Sequence, residues 1–233
     1  MTVPNMTVDE LMAIQPVIPV ITIERVEDAA PLAEALVAAG LPVLEVTLRT
    51  PAAADCIAAM SQVKGAIAGA GTVLNTRDLQ RALDSKARFI VTPGLSASVT
   101  TETQKAGIPI LPGIATATEL MAGLDLGLTR FKFFPAEQAG GRAMIDALKG
   151  PFGHVRFCPT GGITLDLARD YLTRSNVACV GGGWLTPKKL IDAKKWDEIG
   201  ALAHSLEAMT NALADLQPRT MLATTAGTRR RAI

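Results

Sequence analysis

The sequence contains few aromatic residues, few cysteines and only two histidines. Phenylalanine, tryptophan and tyrosine together make up 4% of the 233 residues, so a large core has to be built from aliphatic side chains. The three cysteines show no CxxC spacing, which argues against a disulfide framework and against a zinc cluster. His154 and His204 are not spaced as metal ligands, and we therefore expect no metal site.

A strong net charge and a long apolar run are also missing. The formal net charge is +1, which argues against nucleic acid as a partner. No apolar stretch approaches the roughly 18 residues that a membrane-spanning helix needs. The first residues lack the basic region and apolar run of a signal peptide. We therefore expect a cytoplasmic protein that binds neither a membrane nor nucleic acid.

Short apolar runs that alternate with helical patterns fill most of the chain, and hydrophobic residues make up 48% of it. Strict alternation of predicted strands and helices favours a parallel sheet with helices outside it. No GxGxxG motif follows the first strand, so a closed barrel is favoured over a doubly wound open sheet. The predicted strands cover residues 17–23, 43–48, 67–71, 88–92, 109–112, 130–134, 155–158 and 177–180.

The predicted fold is thus an α/β protein with a single (β/α)8 TIM barrel, which covers residues 1–215. A short N-terminal helix is expected at residues 8–14, beneath the barrel. From residue 216 to residue 233 the pattern dissolves into proline, threonine, glycine and arginine, which predicts a disordered C-terminal tail.

Lys132 is the one lysine that falls within a predicted strand. Strand alternation places it on the opposite side from Phe131 and Phe133. If the two phenylalanines face the helices, Lys132 points into an apolar interior, where burial disfavours the charged ammonium and leaves a neutral amine. A neutral amine can attack a ketone and form an iminium ion. The alternative is a lysine at a sheet edge whose amine reaches water.

The second predicted strand has one aliphatic face and one polar face. A period of two places Glu45, Thr47 and Arg49 together on the polar face, which is expected to line the barrel interior. Glu45 suits a general acid or base, and the alternative role for this residue is a structural ion pair. Arg49 lies at the carboxyl end of the strand, where barrel active sites form, and suits a substrate carboxylate. Its alternative is a surface salt bridge.

Two glycine-rich loops follow the seventh and eighth predicted strands, PTGGI at 159–163 and GGG at 181–183. These two loops commonly form the phosphate site of a barrel, because glycines let backbone N–H groups approach phosphate oxygens. Thr72 and Pro93 follow the third and fourth strands and are expected at the same mouth. The Thr72 hydroxyl suits a substrate carboxylate, and its alternative is a simple turn.

Five segments together are similar to those of one enzyme family: EVTLR at 45–49, GAGTVLN at 69–75, TPG at 92–94, FKFFP at 131–135 and FCPTGGI at 157–163. They resemble the 2-keto-3-deoxy-6-phosphogluconate (KDPG) aldolases. This family includes bifunctional members that also use 4-hydroxy-2-oxoglutarate (KHG). The resemblance runs from about residue 8 to residue 215.

The resemblance implies a class I aldolase that cleaves KDPG to pyruvate and glyceraldehyde 3-phosphate without a cofactor. It also implies cleavage of KHG to pyruvate and glyoxylate, and a homotrimer. Lys132 would form the Schiff base and Glu45 would move protons. The other implied site residues are Arg49 and Thr72 at the pyruvyl carboxylate, Pro93 and Phe134 in the pyruvate pocket, and Thr160, Gly161, Gly162 and Gly182 at the aldehyde and phosphate end.

The chain departs from this family at Gly183, where close relatives have a serine whose hydroxyl binds phosphate. Backbone donors remain there, and the phosphate affinity or the substrate range is expected to differ. Three other functions stay open. They are a 2-keto-3-deoxy-6-phosphogalactonate aldolase, an isomerase or synthase that uses Glu45 and Lys132 without covalency, and a non-catalytic phosphosugar-binding barrel.

Overall fold

The computed structural model describes residues 6–216, and parallel strands alternate there with helices. The predicted tail, except for its first residue, lies outside the described residues. The strands are β1 (Val17–Ile21), β2 (Val43–Thr47), β3 (Ile67–Gly71), β4 (Ile90–Val91), β5 (Ile110–Leu111), β6 (Gly113–Ile114), β7 (Arg130–Phe133), β8 (Arg156–Pro159) and β9 (Val180–Gly182). The helices are α1 (Val8–Ala13), α2 (Ala29–Ala38), α3 (Ala53–Met60), α4 (Thr76–Asp84), α5 (Ala97–Lys105), α6 (Ala117–Asp125), α7 (Gly141–Leu148), α8 (Leu165–Leu172), α9 (Lys188–Asp192) and α10 (Trp196–Leu216), with a 3₁₀ turn at Val26–Asp28.

The strands form a curled six-stranded sheet in the order β5-β4-β3-β2-β1-β9 and a three-stranded sheet in the order β6-β7-β8, with parallel pairing between neighbours. The predicted fifth strand, 109–112, is shorter in the structure, where β5 ends at Leu111. A further strand that was not predicted, β6, follows Pro112, which has no N–H to donate to a ladder. Isolated parallel bridges join Phe157 to Val177 and Thr160 to Gly181. The predicted α/β fold with parallel strands is confirmed, whereas complete closure of the barrel stays a prediction.

The two faces of the sheet differ as the strand periods predict. Leu44 and Val46 of β2 pack in the large outer cluster that includes the helix residues. Phe131 of β7 also faces outward, because a Cβ atom on Gly123 of α6 would lie 2.3 Å from its ring. Glu45 and Lys132, the alternating neighbours of these residues, consequently point to the inside of the curled sheet.

Helix α1 closes the end of the sheet where the strands begin. Leu11 and Met12 are buried in an inner cluster together with Ile18 and Phe89. Just after α1, the Gln15 side chain donates to the carbonyl oxygens of Val17 and Val43 and accepts from the Val43 N–H, at 2.8–2.9 Å. A ligand must therefore enter from the opposite end, where the strands finish.

Five helices, α1, α4, α5, α6 and α8, begin at a residue whose side-chain oxygen accepts a backbone N–H of the first turn. In α4 this cap is Asn75, which accepts from the Asp78 N–H at 2.9 Å, and Thr76 is the first helical residue. None of the helices within residues 6–216 is long and apolar enough to cross a membrane.

Candidate active site

Lys132 and Glu45 form a buried ion pair inside the curled sheet. The Lys132 Nζ atom donates to the Glu45 Oε1 atom at 3.0 Å. Lys132 is 6% exposed and Glu45 is 3% exposed, although they lie on different strands, β7 and β2. The alternative of a lysine reaching water is therefore excluded. The ion pair considered for Glu45 is present, and its partner is the lysine itself.

Close packing surrounds this pair on two sides. The Phe134 ring centroid lies 5.4 Å from the Lys132 Nζ atom. On the Glu45 side, a Cβ atom on Gly71 would lie 2.4 Å from Oε1. Gly71 therefore leaves the space that the carboxylate needs in order to reach the lysine.

A buried amine and carboxyl group at this distance can exchange one proton. Transfer from the Lys132 ammonium to the Glu45 carboxylate gives a neutral amine beside a carboxylic acid. A neutral amine is a nucleophile towards a carbonyl carbon, and the adjacent acid can protonate the carbonyl oxygen. The pair has the two groups that Schiff-base chemistry requires.

Two threonine hydroxyls lie on the inner face between the ion pair and the mouth. The Thr47 hydroxyl donates to the Ile21 carbonyl at 2.9 Å and lies 3.0 Å from the Thr22 hydroxyl. Because the Thr47 hydroxyl already uses its one proton to bind the Ile21 carbonyl, the Thr22 hydroxyl must donate to Thr47. The lone pairs of the Thr22 oxygen therefore remain available to accept a hydrogen bond from a ligand. Sequence reasoning missed Thr22. The signal was its alternation with Ile18 and Val20, which also face inward.

A cavity of about 410 Å³ opens where the strands end. Phe134 connects it to the ion pair, because its ring contacts the Lys132 amine and also lines the cavity wall. Lys132 and Glu45 are not part of the wall. The wall contains six predicted site residues, Arg49, Phe134, Thr160, Gly161, Gly162 and Gly183, together with Ile163 and Gly181 of the two predicted phosphate loops. It also contains residues that sequence reasoning did not assign to the site, namely Val20, Thr22, Trp184, Thr186, Pro187 and Lys188.

Besides Lys132 and Glu45, three further predicted site residues lie outside this wall. Gly182 is buried against Trp184, since a Cβ atom there would lie 2.3 Å from the indole ring. The Pro93 carbonyl oxygen approaches Gly113 so closely that a Cβ on Gly113 would lie 2.3 Å from it. Thr72 follows β3 with a φ of 59°, a left-handed conformation that is uncommon for a threonine. The wall of the cavity therefore does not bring these three together with the other predicted site residues.

The loop after β8 is held in a fixed shape by the segment that follows Phe134. Gly161 and Gly162 have φ values of 105° and 74°, which only glycine adopts easily. The Glu137 N–H donates to the Gly161 carbonyl at 3.2 Å, and the Tyr171 hydroxyl donates to the Glu137 carboxylate at 2.5 Å. This support presents a glycine-rich backbone to the cavity, as an anion-binding loop requires.

Arg49 and Lys188 are the cationic side chains in the cavity wall. Within the part of the chain that the structure describes, Arg49 is exposed and has no hydrogen bond or ion pair, so the surface salt bridge considered for it is not formed there. Lys188 donates to Glu24 at 2.9 Å and to Asp192 at 3.0 Å. The Glu24 hydrogen bond, followed by that to Asp192, raises the pKa of Lys188 above its usual value. Arg49 is therefore the cation that an anionic ligand meets without displacing a carboxylate.

Known proteins of one enzyme family are similar to this chain. Residues 8–202 match the model of the KDPG and KHG aldolases. The KHG/KDPG aldolase of Escherichia coli strain K12 is 47% identical over 197 residues, which cover 84% of this chain and 92% of the relative.

Two solved structures are also similar. The KDPG aldolase of Zymomonas mobilis ZM4 with 3-phosphoglycerate has a TM-score of 0.82 and 48% identity, over 86% of this chain and 95% of that one. The KDPG aldolase of Legionella pneumophila, with pyruvate captured as a covalent carbinolamine intermediate, has a TM-score of 0.82 and 44% identity, over 84% and 96%. The chain therefore belongs to the KDPG and KHG aldolase family, and it is a carbon–carbon lyase.

Proposed function

We propose that this protein cleaves KDPG to pyruvate and glyceraldehyde 3-phosphate through a Schiff base on Lys132. The single observation that carries the proposal is the buried contact of 3.0 Å between the Lys132 amine and the Glu45 carboxylate, beneath a polar cavity. A structural ion pair needs no such cavity above it. A nucleophilic amine with its own proton carrier does need one, because the ketone has to reach it.

The reaction begins when Glu45 takes a proton from the Lys132 ammonium and the free amine attacks the C2 ketone. Glu45 returns a proton to the oxygen, giving a carbinolamine, and water then leaves to form the iminium ion. The resulting Glu45 carboxylate removes the proton of the C4 hydroxyl. The C3–C4 bond breaks, its electron pair moves into the iminium to form an enamine, and glyceraldehyde 3-phosphate departs. Glu45 protonates C3 of the enamine, and water hydrolyses the new iminium to pyruvate and free Lys132.

The relatives support the chemistry and the substrate. The Legionella pneumophila enzyme holds pyruvate as a covalent carbinolamine, which is the intermediate that precedes the iminium in these steps. The Escherichia coli relative is a KHG/KDPG aldolase. We therefore extend the proposal to KHG, which would give pyruvate and glyoxylate by the same steps.

The roles of the remaining site residues are part of the proposal. Arg49 suits the pyruvyl carboxylate, because it is the cavity cation without a carboxylate partner within the described residues. Thr72 would assist it, and Pro93 and Phe134 would border the pyruvyl group. The aldehyde and phosphate end would be formed by Thr160, Gly161, Gly162, Gly182 and Gly183, where the glycine backbone supplies N–H donors.

We also propose a closed (β/α)8 barrel and a cytoplasmic homotrimer. Closure is supported by the bridge from Thr160 to Gly181, which joins the end of β8 to β9. At the other junction, the Lys132 N–H donates at 2.9 Å to the carbonyl of Pro112, the residue that separates β5 from β6. The trimer rests on the family resemblance alone, and sedimentation equilibrium would test it.

Borohydride trapping tests the proposed function directly. Reduction in the presence of pyruvate should fix a stable adduct on Lys132, located by peptide mass spectrometry, and Lys132→Met should give none. A lactate dehydrogenase assay should detect pyruvate released from KDPG by the wild-type protein only. An isomerase, a synthase or a simple phosphosugar-binding protein would give neither the adduct nor the pyruvate. Rates on the phosphogluconate and phosphogalactonate substrates would separate the two aldolases.

A further inference from the structure

The loop after β9 carries a glycine, Gly183, in the cavity wall. Crowding does not impose this glycine, because a Cβ atom on Gly183 would have, among the described residues, the Val20 carbonyl oxygen at 3.8 Å as its one neighbour within 4 Å. Its φ is also not in the left-handed region, so the backbone accepts a side chain. Residue 183 therefore has room for a side chain, and the chain supplies no hydroxyl there.

Thr186 lies three residues further along the same loop and lines the same cavity. The turn that brings it there is closed by its own N–H, which donates to the Gly183 carbonyl at 3.3 Å. Across the cavity, the wall is formed by Gly161 and Gly162 of the other glycine-rich loop. The Thr186 side chain thus occupies the phosphate end of the proposed site.

The Thr186 hydroxyl is buried without a partner. Thr186 is 6% exposed, and within the described residues its Oγ1 atom makes no hydrogen bond. An unsatisfied buried hydroxyl is unfavourable, and proteins keep one mainly where a ligand or water completes it. A rotation of about 120° around χ1 exchanges the hydroxyl with the methyl group and leaves the backbone unchanged.

We propose that Thr186 donates this hydroxyl to the phosphate group of the substrate. The inference rests on the proposed aldolase function and adds a specificity-determining residue to it. Lys188 does not fill this role equally well, because its ammonium is already bound by the Glu24 and Asp192 carboxylates. The Thr186 hydroxyl, by contrast, can bind a phosphate oxygen without breaking an existing hydrogen bond to another described residue.

Matched variants at residue 186 test the proposal. Thr186→Val keeps the volume and removes the hydroxyl, whereas Thr186→Ser keeps the hydroxyl. For Thr186→Val we expect the KM for KDPG to rise about tenfold or more, as expected for a lost hydrogen bond to a charged group, while the KM for unphosphorylated 2-keto-3-deoxygluconate stays unchanged. Thr186→Ser should resemble the wild type. In Thr186→Val, the second change Gly183→Ser should restore a low KM for KDPG.

Calorimetric titration with 3-phosphoglycerate provides a readout that does not depend on catalysis. Weaker binding by Thr186→Val, with recovery in the Gly183→Ser double variant, supports the proposal. Equal binding and equal KDPG KM values in the wild type and Thr186→Val would overturn it, and so would equal losses on phosphorylated and unphosphorylated substrates. Failure of the wild type to release pyruvate from KDPG would instead reject the aldolase function, while the titration would still decide whether Thr186 binds a phosphate ester.

Discussion

Gly71 leaves the space that the Glu45 carboxylate occupies, since a Cβ atom on Gly71 would lie 2.4 Å from Oε1 and 2.7 Å from Cγ. The two residues lie on neighbouring strands, β3 and β2, where Gly71 is paired with Thr47. A side chain at residue 71 would therefore push the carboxylate away from the Lys132 amine. The position of the Glu45 carboxylate, the proposed proton carrier, therefore depends on residue 71 having no side chain.

This relationship predicts the effect of Gly71→Ala. The displaced carboxylate should lower kcat by about a hundredfold, because a shift of 1 Å in a catalytic group can cost that much. Steady-state kinetics on KDPG would measure the loss. Gly200→Ala is the matched control, because a Cβ atom on Gly200 meets none of the described residues within 4 Å, and Gly200 lies in α10 and does not line the cavity. A Gly71→Ala enzyme as active as this control would contradict the close contact.

The sequence was sufficient to single out Lys132 and Glu45, because buried strands rarely contain charge, whereas the ion pair between them was only an alternative considered for Glu45. Lys132 and Glu45 each interrupt an apolar strand, and the period of two correctly placed both on the inner face. Their mutual distance was not predictable, because it depends on the curl of the sheet, which brings β2 and β7 face to face. That curl arises from the packing of the whole chain rather than from either strand.

The cavity wall was harder to predict, because its residues are of types that are common at any strand end or turn. Thr22 and Thr186 gave no strong signal, since threonine is frequent in strands and loops alike. Gly182 was assigned to the site from a run of three glycines. Such a run has no side chains whose alternation would indicate that Gly182 packs against Trp184. Lys188 was interpreted as one of the lysines in helix or loop patterns, and only the structure places it at the mouth.

Glu45→Gln should separate nucleophilic attack from proton transfer. Glutamine keeps the size and a hydrogen bond to Lys132 but cannot carry a proton, so we expect kcat to fall by roughly 10²–10⁴-fold. Exchange of the pyruvate methyl protons with deuterium, followed by NMR, should slow in parallel, because it requires the enamine. If kcat stays within a few-fold of the wild type, another group must move the protons.

The buried cysteines should react slowly with thiol reagents in the native protein. Burial, and then the nearby Asp55 carboxylate, raises the pKa of Cys56 to about 11 from 9.0. The pKa of Cys179 is also raised, by its contact with Cys158 and by burial. At pH 9.0, where an unperturbed cysteine is half ionised, both residues should remain thiols. A disulfide reagent should therefore modify them only after denaturant is added, and rapid native modification would contradict the burial.

The same shift has a consequence for stability at high pH. In the unfolded chain Cys56 ionises near pH 9.0, whereas in the folded chain it ionises near pH 11, so between these values the unfolded state binds fewer protons. The contribution of the neutral thiol to stability is therefore complete below pH 9 and is lost as the pH rises towards 11. Urea unfolding of the wild type and Cys56→Ala across this range should show a steeper decline for the wild type.

Arg49 should determine the binding of the pyruvyl carboxylate. Among the described residues it has no carboxylate partner, so its guanidinium is available for a bidentate contact with the substrate. Arg49→Met removes this contact, and we expect kcat/KM for KDPG to fall by about tenfold to a hundredfold, mainly through KM, because a hydrogen-bonded charge pair is lost. Arg49→Lys keeps the charge but cannot make the bidentate contact of a guanidinium, so an intermediate kcat/KM is expected.

Competitive inhibition by pyruvate should weaken in the same order, from wild type to Arg49→Lys to Arg49→Met, whereas inhibition by 3-phosphoglycerate at the phosphate end should change less. If Arg49→Met weakens 3-phosphoglycerate and leaves pyruvate unaffected, the arginine binds the phosphate, and the two ends of the substrate have to be exchanged in the proposed site.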